Sequence, residues 1–254
     1  MSSTEWIIGI HAVTELLRRN PQDVIELLFQ QERTDQRLDE VRALARELGI
    51  SSKVVPRTEL EKKVGAAGRK PVHQGVAALC QWRHTVKDEA FLTRLLDNLP
   101  HPPLLLVLDE ITDPHNLGAC LRTADAAGVD AVIVPKDNAA PMNLTVRKVA
   151  SGAAEKVNLV AVTNLSRTLA ALQQRGVWIT GAAGEATQSL YEADLSGPRA
   201  LVMGSEGKGL RRLTREHCDF LISIPMAGAV SSLNVSVAAG VCLFEAVRQR
   251  KNQT

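Results

Sequence analysis

The second half of the chain is a succession of short apolar runs, and this restricts the fold more than anything else in the sequence. LLLVLDE, DAVIVP, VNLVAV, VWITGAA, ALVMG and FLISIP follow one another between residues 104 and 225. The runs are apolar throughout and do not alternate with polar residues. Strands of that kind are covered on both faces, which is the situation of a parallel sheet sandwiched by helices. Amphipathic segments separate them: Asn116 to Ala127, Leu144 to Ala154, Ser166 to Arg175, Leu210 to His217, and a last helix after Asn234. The spacing predicts an α/β domain over residues 103–254. In this final helix Leu233, Val237, Val241 and Phe244 lie at helical intervals and are expected to form its buried stripe.

The first part of the chain has a shorter rhythm. WIIGI and VIELLFQ read as strands, Ala12 to Arg19 and Gln36 to Leu48 as helices, and SSKVV as a further strand after Gly49. A small α/β unit over residues 1–78 follows, with 79–102 as a connector. That connector holds a polar run from Gln81 to Asp88, a short helix from Phe91 to Leu99, and prolines at 100, 102 and 103 that favour extended backbone. The loop VGAAGRKPVHQG places Arg69 and Lys70 among glycines, a plausible phosphate contact, and Arg147 and Lys148 form a second basic pair on a helix.

Three loops at strand ends carry the candidate chemistry, since ligands in open α/β sheets bind at the carboxyl ends of strands. In DEITDPHNLGACLRTADAAG, Pro114 and Asn116 start a helix and Arg122 follows. Side chains on a helix lean toward its N-terminus, so Arg122 is expected to lie back over Ala119 and Gly118 toward Asn116, where the helix start favours an anion. In LVMGSEGKGLRRL, Glu206 projects from a glycine turn. This turn is not a nucleotide-triphosphate loop: GxxxxGK[ST] would require glycine at Val202 and a hydroxyl at Gly209. In IPMAGAVSSLNVSVAA, Ser232 and Asn234 open the last helix, while Ile224, Met226 and Leu233 offer an apolar wall suited to an adenine.

Other classes lose support. No GxGxxG follows a strand where a dinucleotide would need it. The four cysteines are scattered without CxxC pairs, and the six histidines lack metal-ligand spacing, so no metal is expected. A formal charge of +2 admits a polyanionic partner without announcing one. No signal segment and no membrane-spanning run is legible, so a cytoplasmic location without membrane attachment is expected.

NLGACLRTA at 116–124, VMGSEGKG at 202–209 and IPMAGAVSSLNVSVA at 224–238 together resemble the three motifs of the SpoU family of RNA ribose 2′-O-methyltransferases, in the SPOUT superfamily. GIHAV near the start and HQGV at 73–76 are similar to that family's N-terminal RNA-binding domain, related to ribosomal protein L30e. The resemblance implies an L30e-like domain followed by a SPOUT domain with a deep trefoil knot, and a homodimer. It implies methyl transfer from S-adenosyl-L-methionine to a ribose 2′-hydroxyl of RNA, a guanosine in the peptidyl-transferase region of 23S rRNA. A tRNA enzyme of the same family and a non-catalytic RNA-binding protein are the alternatives. Carried over by motif, Asn116, Arg122, Glu206, Ser232 and Asn234 are the catalytic set, and Gly204, Ile224 and Leu233, with Met226 beside them, line the methyl donor.

Overall fold

A computed structural model describes residues 3–31, 33, 35–65, 72–82 and 86–251. Arg69 and Lys70 lie outside the described residues. The chain divides into two compact units, Met1–Thr85 and Val86–Thr254.

The first unit runs β1 (Ser3–Ile8), α1 (Ile10–Arg19), β2 (Val24–Gln30), α2 (Gln36–Glu47), β3 (Ser52–Val55), α3 (Arg57–Val64) and β4 (Val76–Trp82). Its sheet has the order β1-β4-β2-β3, with β4 antiparallel to both neighbours and β3 parallel to β2. Two elements were not expected. The polar run from Gln81 begins inside β4, whose central place in the sheet is earned by Val76, Ala77 and Ala78, all fully buried. Helix α3 buries only Leu60 of its own length, so its periodicity is faint. His73 is buried, and its Nδ1 accepts from the backbone N–H of Gly75 at 3.0 Å. Burial holds its pKa below the ordinary histidine value, with the neighbouring Glu61 pulling the other way.

The second unit contains α4 (Glu89–Asn98), β5 (Leu104–Leu108), α5 (Pro114–Ala127), β6 (Ala131–Pro135), α6 (Leu144–Ala150), β7 (Leu159–Val162), α7 (Leu165–Gln174), β8 (Trp178–Ala182), β9 (Gln188–Ser189), β10 (Arg199–Met203), α8 (Arg212–Glu216), β11 (Phe220–Ser223) and α9 (Val235–Lys251). Its sheet has the order β7-β6-β5-β10-β8-β11-β9, and every pairing is parallel. Helix α4, from the interval expected as a connector, belongs to this unit: Lys87 bridges to Val160 at the edge of the sheet, and Asp88 caps the helix by accepting from Phe91 N–H at 2.8 Å.

Strand β5 shows why the runs are apolar without alternation. Leu104, Leu106 and Leu108 join a core with Leu117 and Leu121 of α5 and Leu243 of α9, while Leu105 and Val107 join a second with Leu92, Leu165 and Leu169. Successive side chains point to opposite faces, and both faces are covered. Helix α6 stops at Ala150, short of the expected Ala154, because Ser151 and Gly152 turn into left-handed backbone at φ 52° and 92°.

Two expectations need correction. Helix α9 does not bury the stripe Leu233, Val237, Val241 and Phe244. It buries Val235, Ala239, Cys242, Leu243 and Ala246, leaving Val237 52% and Phe244 50% exposed. The helix is apolar on both sides, so spacing alone could not say which side faces the core. Nor is Gly118 bare to make room for Arg122. A Cβ there would meet Val146 O at 2.7 Å and Val149 Cβ at 2.8 Å, so the glycine exists to let α6 rest against α5. Among the described residues no helix is long and apolar enough to cross a membrane.

Candidate active site

Because all strands of the second unit run the same way, the loops that follow β5, β10 and β11 emerge on one edge of the sheet. The loop after β10 is a tight turn. Ser205 N–H donates to Gly209 O at 3.1 Å and Gly209 N–H returns to Ser205 O at 2.9 Å, with Gly207 at φ 81° inside the loop. Gly204 lies so close to the returning chain that a Cβ would fall 2.2 Å from the Gly209 carbonyl carbon. Only glycine permits that approach. The turn carries Glu206 at its tip.

Glu206 reaches the start of α9. Its Oε1 accepts from Asn116 Nδ2 at 3.2 Å, from Asn234 Nδ2, and from the backbone N–H of Val235 at 3.4 Å. Asn234 Nδ2 also donates to Asn116 Oδ1 at 2.9 Å. The Oδ1 of Asn234 caps the helix, accepting from Ser236 N–H at 2.9 Å and from Ser236 Oγ at 2.6 Å. One carboxylate therefore gathers donors from the starts of two helices, α5 and α9, where the free N–H groups and the helix dipole favour negative charge. Asn116 stands in the first turn of α5, which is itself capped by Asp113 accepting from His115 N–H at 3.0 Å.

The structure thus brings together Asn116, Glu206 and Asn234. Arg122 and Ser232 are exposed, and their side chains make no hydrogen bond or ion pair among the described residues. Ile224, Met226 and Leu233 are half-buried, and Ile224 rests against the core that holds β5 and α9. The segment between β11 and α9 forms no backbone–backbone hydrogen bond from residue 225 to 233 among the described residues. Its donors and acceptors stand beside apolar side chains, a surface fitted to a heteroaromatic base.

Arg147 departs from expectation. It is 6% exposed, and its Nη1 lies 2.6 Å from Glu155 Oε1, so it belongs to the packing of α6 and not to an open basic surface. Lys148 beside it is exposed. Sequence reasoning also passed over Asp109 and Arg211, an ion pair at 2.6 Å just behind the Glu206 turn. The signal was present: a carboxylate directly after an apolar run, and an arginine directly after the glycine turn. Thiol chemistry is unsupported, since burial pushes Cys120 and Cys242 up to about 12. Among the described residues no group of His, Cys, Asp and Glu could hold a metal ion.

Residues 103–244 match the SpoU rRNA Methylase family, and residues 6–85 match the RNA 2′-O ribose methyltransferase substrate binding domain. The chain belongs to the SpoU rRNA Methylase family. It is 57% identical over 251 residues to the 23S rRNA (guanosine-2′-O-)-methyltransferase RlmB of Pseudomonas putida, covering 99% of each chain. The RlmB of Haemophilus influenzae is 57% identical over 248 residues, 97% of this chain and 98% of the relative. Among solved structures, the SpoU methyltransferase AviRb from Streptomyces viridochromogenes, in complex with the cofactor AdoMet, is similar with a TM-score of 0.67 and 25% identity, over 98% of this chain and 91% of that one. The α/β SpoU fold with its parallel sheet is therefore established on two counts, the strand order and the structural neighbour.

The cap on α9 makes a direct prediction. Asn234→Ala should lower the free energy of unfolding in urea by about 1 kcal/mol, and Asn234→Ser, which keeps a capping oxygen, should recover most of it. An alanine variant as stable as the unmodified protein would show that the cap contributes nothing.

Proposed function

We propose that this chain transfers a methyl group from S-adenosyl-L-methionine to the ribose 2′-hydroxyl of a guanosine in 23S rRNA, in the peptidyl-transferase region that the motifs imply. The observation that carries this reading is the convergence of Asn116, Glu206 and Asn234 at one helix start, in a chain that matches 23S rRNA methyltransferases over nearly its full length. The N-terminal match to a substrate-binding domain supports RNA as the partner. A ribosomal RNA substrate also supports a cytoplasmic location.

The residues present fit the methyl donor. Ile224, Met226 and Leu233 would hold the adenine against the backbone of residues 225–233, and Gly204, packed against the backbone of Gly209, would shape the strand end beside it. S-adenosyl-L-methionine, when bound, supplies an electrophilic methyl group on a sulfonium sulfur. The chain's own work is to align the ribose, exclude water and manage charge on the 2′-oxygen. Glu206 and Asn116 orient the ribose: the carboxylate accepts from a hydroxyl, and the amide can donate or accept. Arg122, unpaired and exposed near Asn116 in sequence, holds the nucleotide's phosphate and stabilises negative charge on oxygen, with Ser232 assisting. A guanidinium, which stays protonated in water at neutral pH, is suited to that role and poorly suited to taking a proton. Lys148 stays in the proposed RNA-contacting surface, and Arg147 does not.

The family's trefoil knot and its homodimer belong to this proposal as well. The strand order supports the knot, since the chain leaves β8 and then inserts β10 between β8 and β5. The exposed apolar side of α9, with Val237 and Phe244 half exposed, supports a second copy packed there.

Incubation with isotopically labelled S-adenosyl-L-methionine and, in separate reactions, 23S rRNA and tRNA from cells lacking the activity should label one guanosine ribose of the 23S rRNA, and Arg122→Ala should abolish the label. Label appearing in tRNA, or in neither RNA, would contradict the assignment. For the dimer, sedimentation velocity should give twice the 27.5 kDa chain mass, and Val237→Glu with Phe244→Glu should give the monomer. An unmodified protein that sediments as a monomer would remove the dimer.

A further inference from the structure

The Glu206 turn is held from behind by one residue. Asp109, at the C-terminal end of β5, is 0% exposed. Its backbone N–H donates to Met203 O at 2.8 Å, immediately before Gly204. Its Oδ1 takes a fork from Arg211, with Nε at 2.7 Å and Nη2 at 2.6 Å, and its Oδ2 accepts the backbone N–H of Arg211 at 3.1 Å. The segment 204–210 is thereby pinned at both ends to Asp109. Arg211 also lies 3.5 Å from Glu110, which adopts left-handed backbone at φ 60° and accepts from Asn138 Nδ2 at 3.4 Å. Glu110 leads on to α5, the helix that carries Asn116 and Arg122.

Burying a carboxylate is costly even when it is paired, and apolar side chains of similar size would fill the space at least as well. What the fork adds is direction. The guanidinium converges on Oδ1 while the backbone N–H of the same residue takes Oδ2, so Arg211 holds both carboxylate oxygens and the turn cannot rotate about its base without breaking two charge-assisted bonds. Asp109 thus couples the loop that presents Glu206 to the loop that presents Asn116. We infer that Asp109 and Arg211 are positioning residues for methyl transfer, acting through Glu206 by fixing the turn against the start of α5. This rests on the proposed function for its activity readout and stands apart from it for its structural one.

The test uses the full chain with Arg211→Met, Arg211→Lys and Asp109→Asn. Two readouts are taken: steady-state methyl transfer, and amide hydrogen exchange of the turn. Arg211→Met and Asp109→Asn should each lower kcat by about tenfold or more, as expected when reacting groups are displaced by a fraction of an ångström to an ångström. The KM for S-adenosyl-L-methionine should stay within about threefold, because the loss is of alignment and not of binding. Arg211→Lys keeps a charge opposite Asp109 and should regain part of the lost kcat. The Ser205 and Gly209 amides should exchange about tenfold faster in Arg211→Met, while those of Leu243 and Ala246 in α9 stay unchanged. Should Arg211→Met fail to fold, Arg211→Lys carries both readouts with smaller changes in the same directions. A kcat within twofold of the unmodified enzyme, or unchanged exchange at Ser205 and Gly209, overturns the inference. An unmodified protein that transfers no methyl group overturns the proposed function instead, and the exchange readout then decides the pair.

Discussion

The candidate site depends on one carboxylate at one helix start. Glu206 accepts from Asn116, Asn234 and the Val235 N–H, groups drawn from segments that begin far apart in sequence. None of these side chains has a reason to face another except that a parallel sheet delivers the loops after β5, β10 and β11 to the same edge. The sheet in turn depends on strands that tolerate cover on both sides. Leu104 to Leu108 supply this by sending alternate side chains into two separate cores.

The close packing behind the site serves the same end. Gly204 lets the turn fold back on itself within van der Waals limits that any side chain would break, and Gly118 lets α6 press against the helix bearing Asn116 and Arg122. Asn234 does two jobs at once: its Oδ1 caps α9 while its Nδ2 ties Glu206 to Asn116. At the far end of α9, Glu245 is held down to about 2 by the guanidinium of Arg248 and the amide of Gln249, and Gln249 donates to Ala193 O. The helix is thus fixed at both ends, with its N-terminus presented to the site.

Much of this was legible in the sequence, and the failures have physical causes. The apolar runs disclosed the parallel sheet, and the glycine turn and helix starts disclosed where Asn116, Glu206 and Asn234 would meet. Spacing does not reveal the inward side of α9, because Val237, Val241 and Phe244 repeat with the same period as Val235, Ala239 and Cys242, and a period carries no information about which side has a neighbour. Spacing assigns Gly118 to Arg122 because the glycine's nearest packing partners, Val146 and Val149, lie in another helix that spacing does not reveal. Spacing presents Arg147 as a surface cation because its partner Glu155 comes only after the chain has turned through Ser151 and Gly152. Asp109 and Arg211 each carry a local mark, a carboxylate after an apolar run and an arginine after the glycine turn, but nothing local pairs two residues about a hundred positions apart.

The account stands on the claim that Asn116 and Glu206 act as one unit. A double-mutant cycle on the single-turnover rate of methyl transfer, using Asn116→Ala, Glu206→Gln and the pair together, tests it directly. Coupled residues should give an interaction energy of about 1 kcal/mol or more, the double variant being little slower than the worse single one. Losses that simply add would mean that the two side chains act independently and that their hydrogen bond has no part in the reaction.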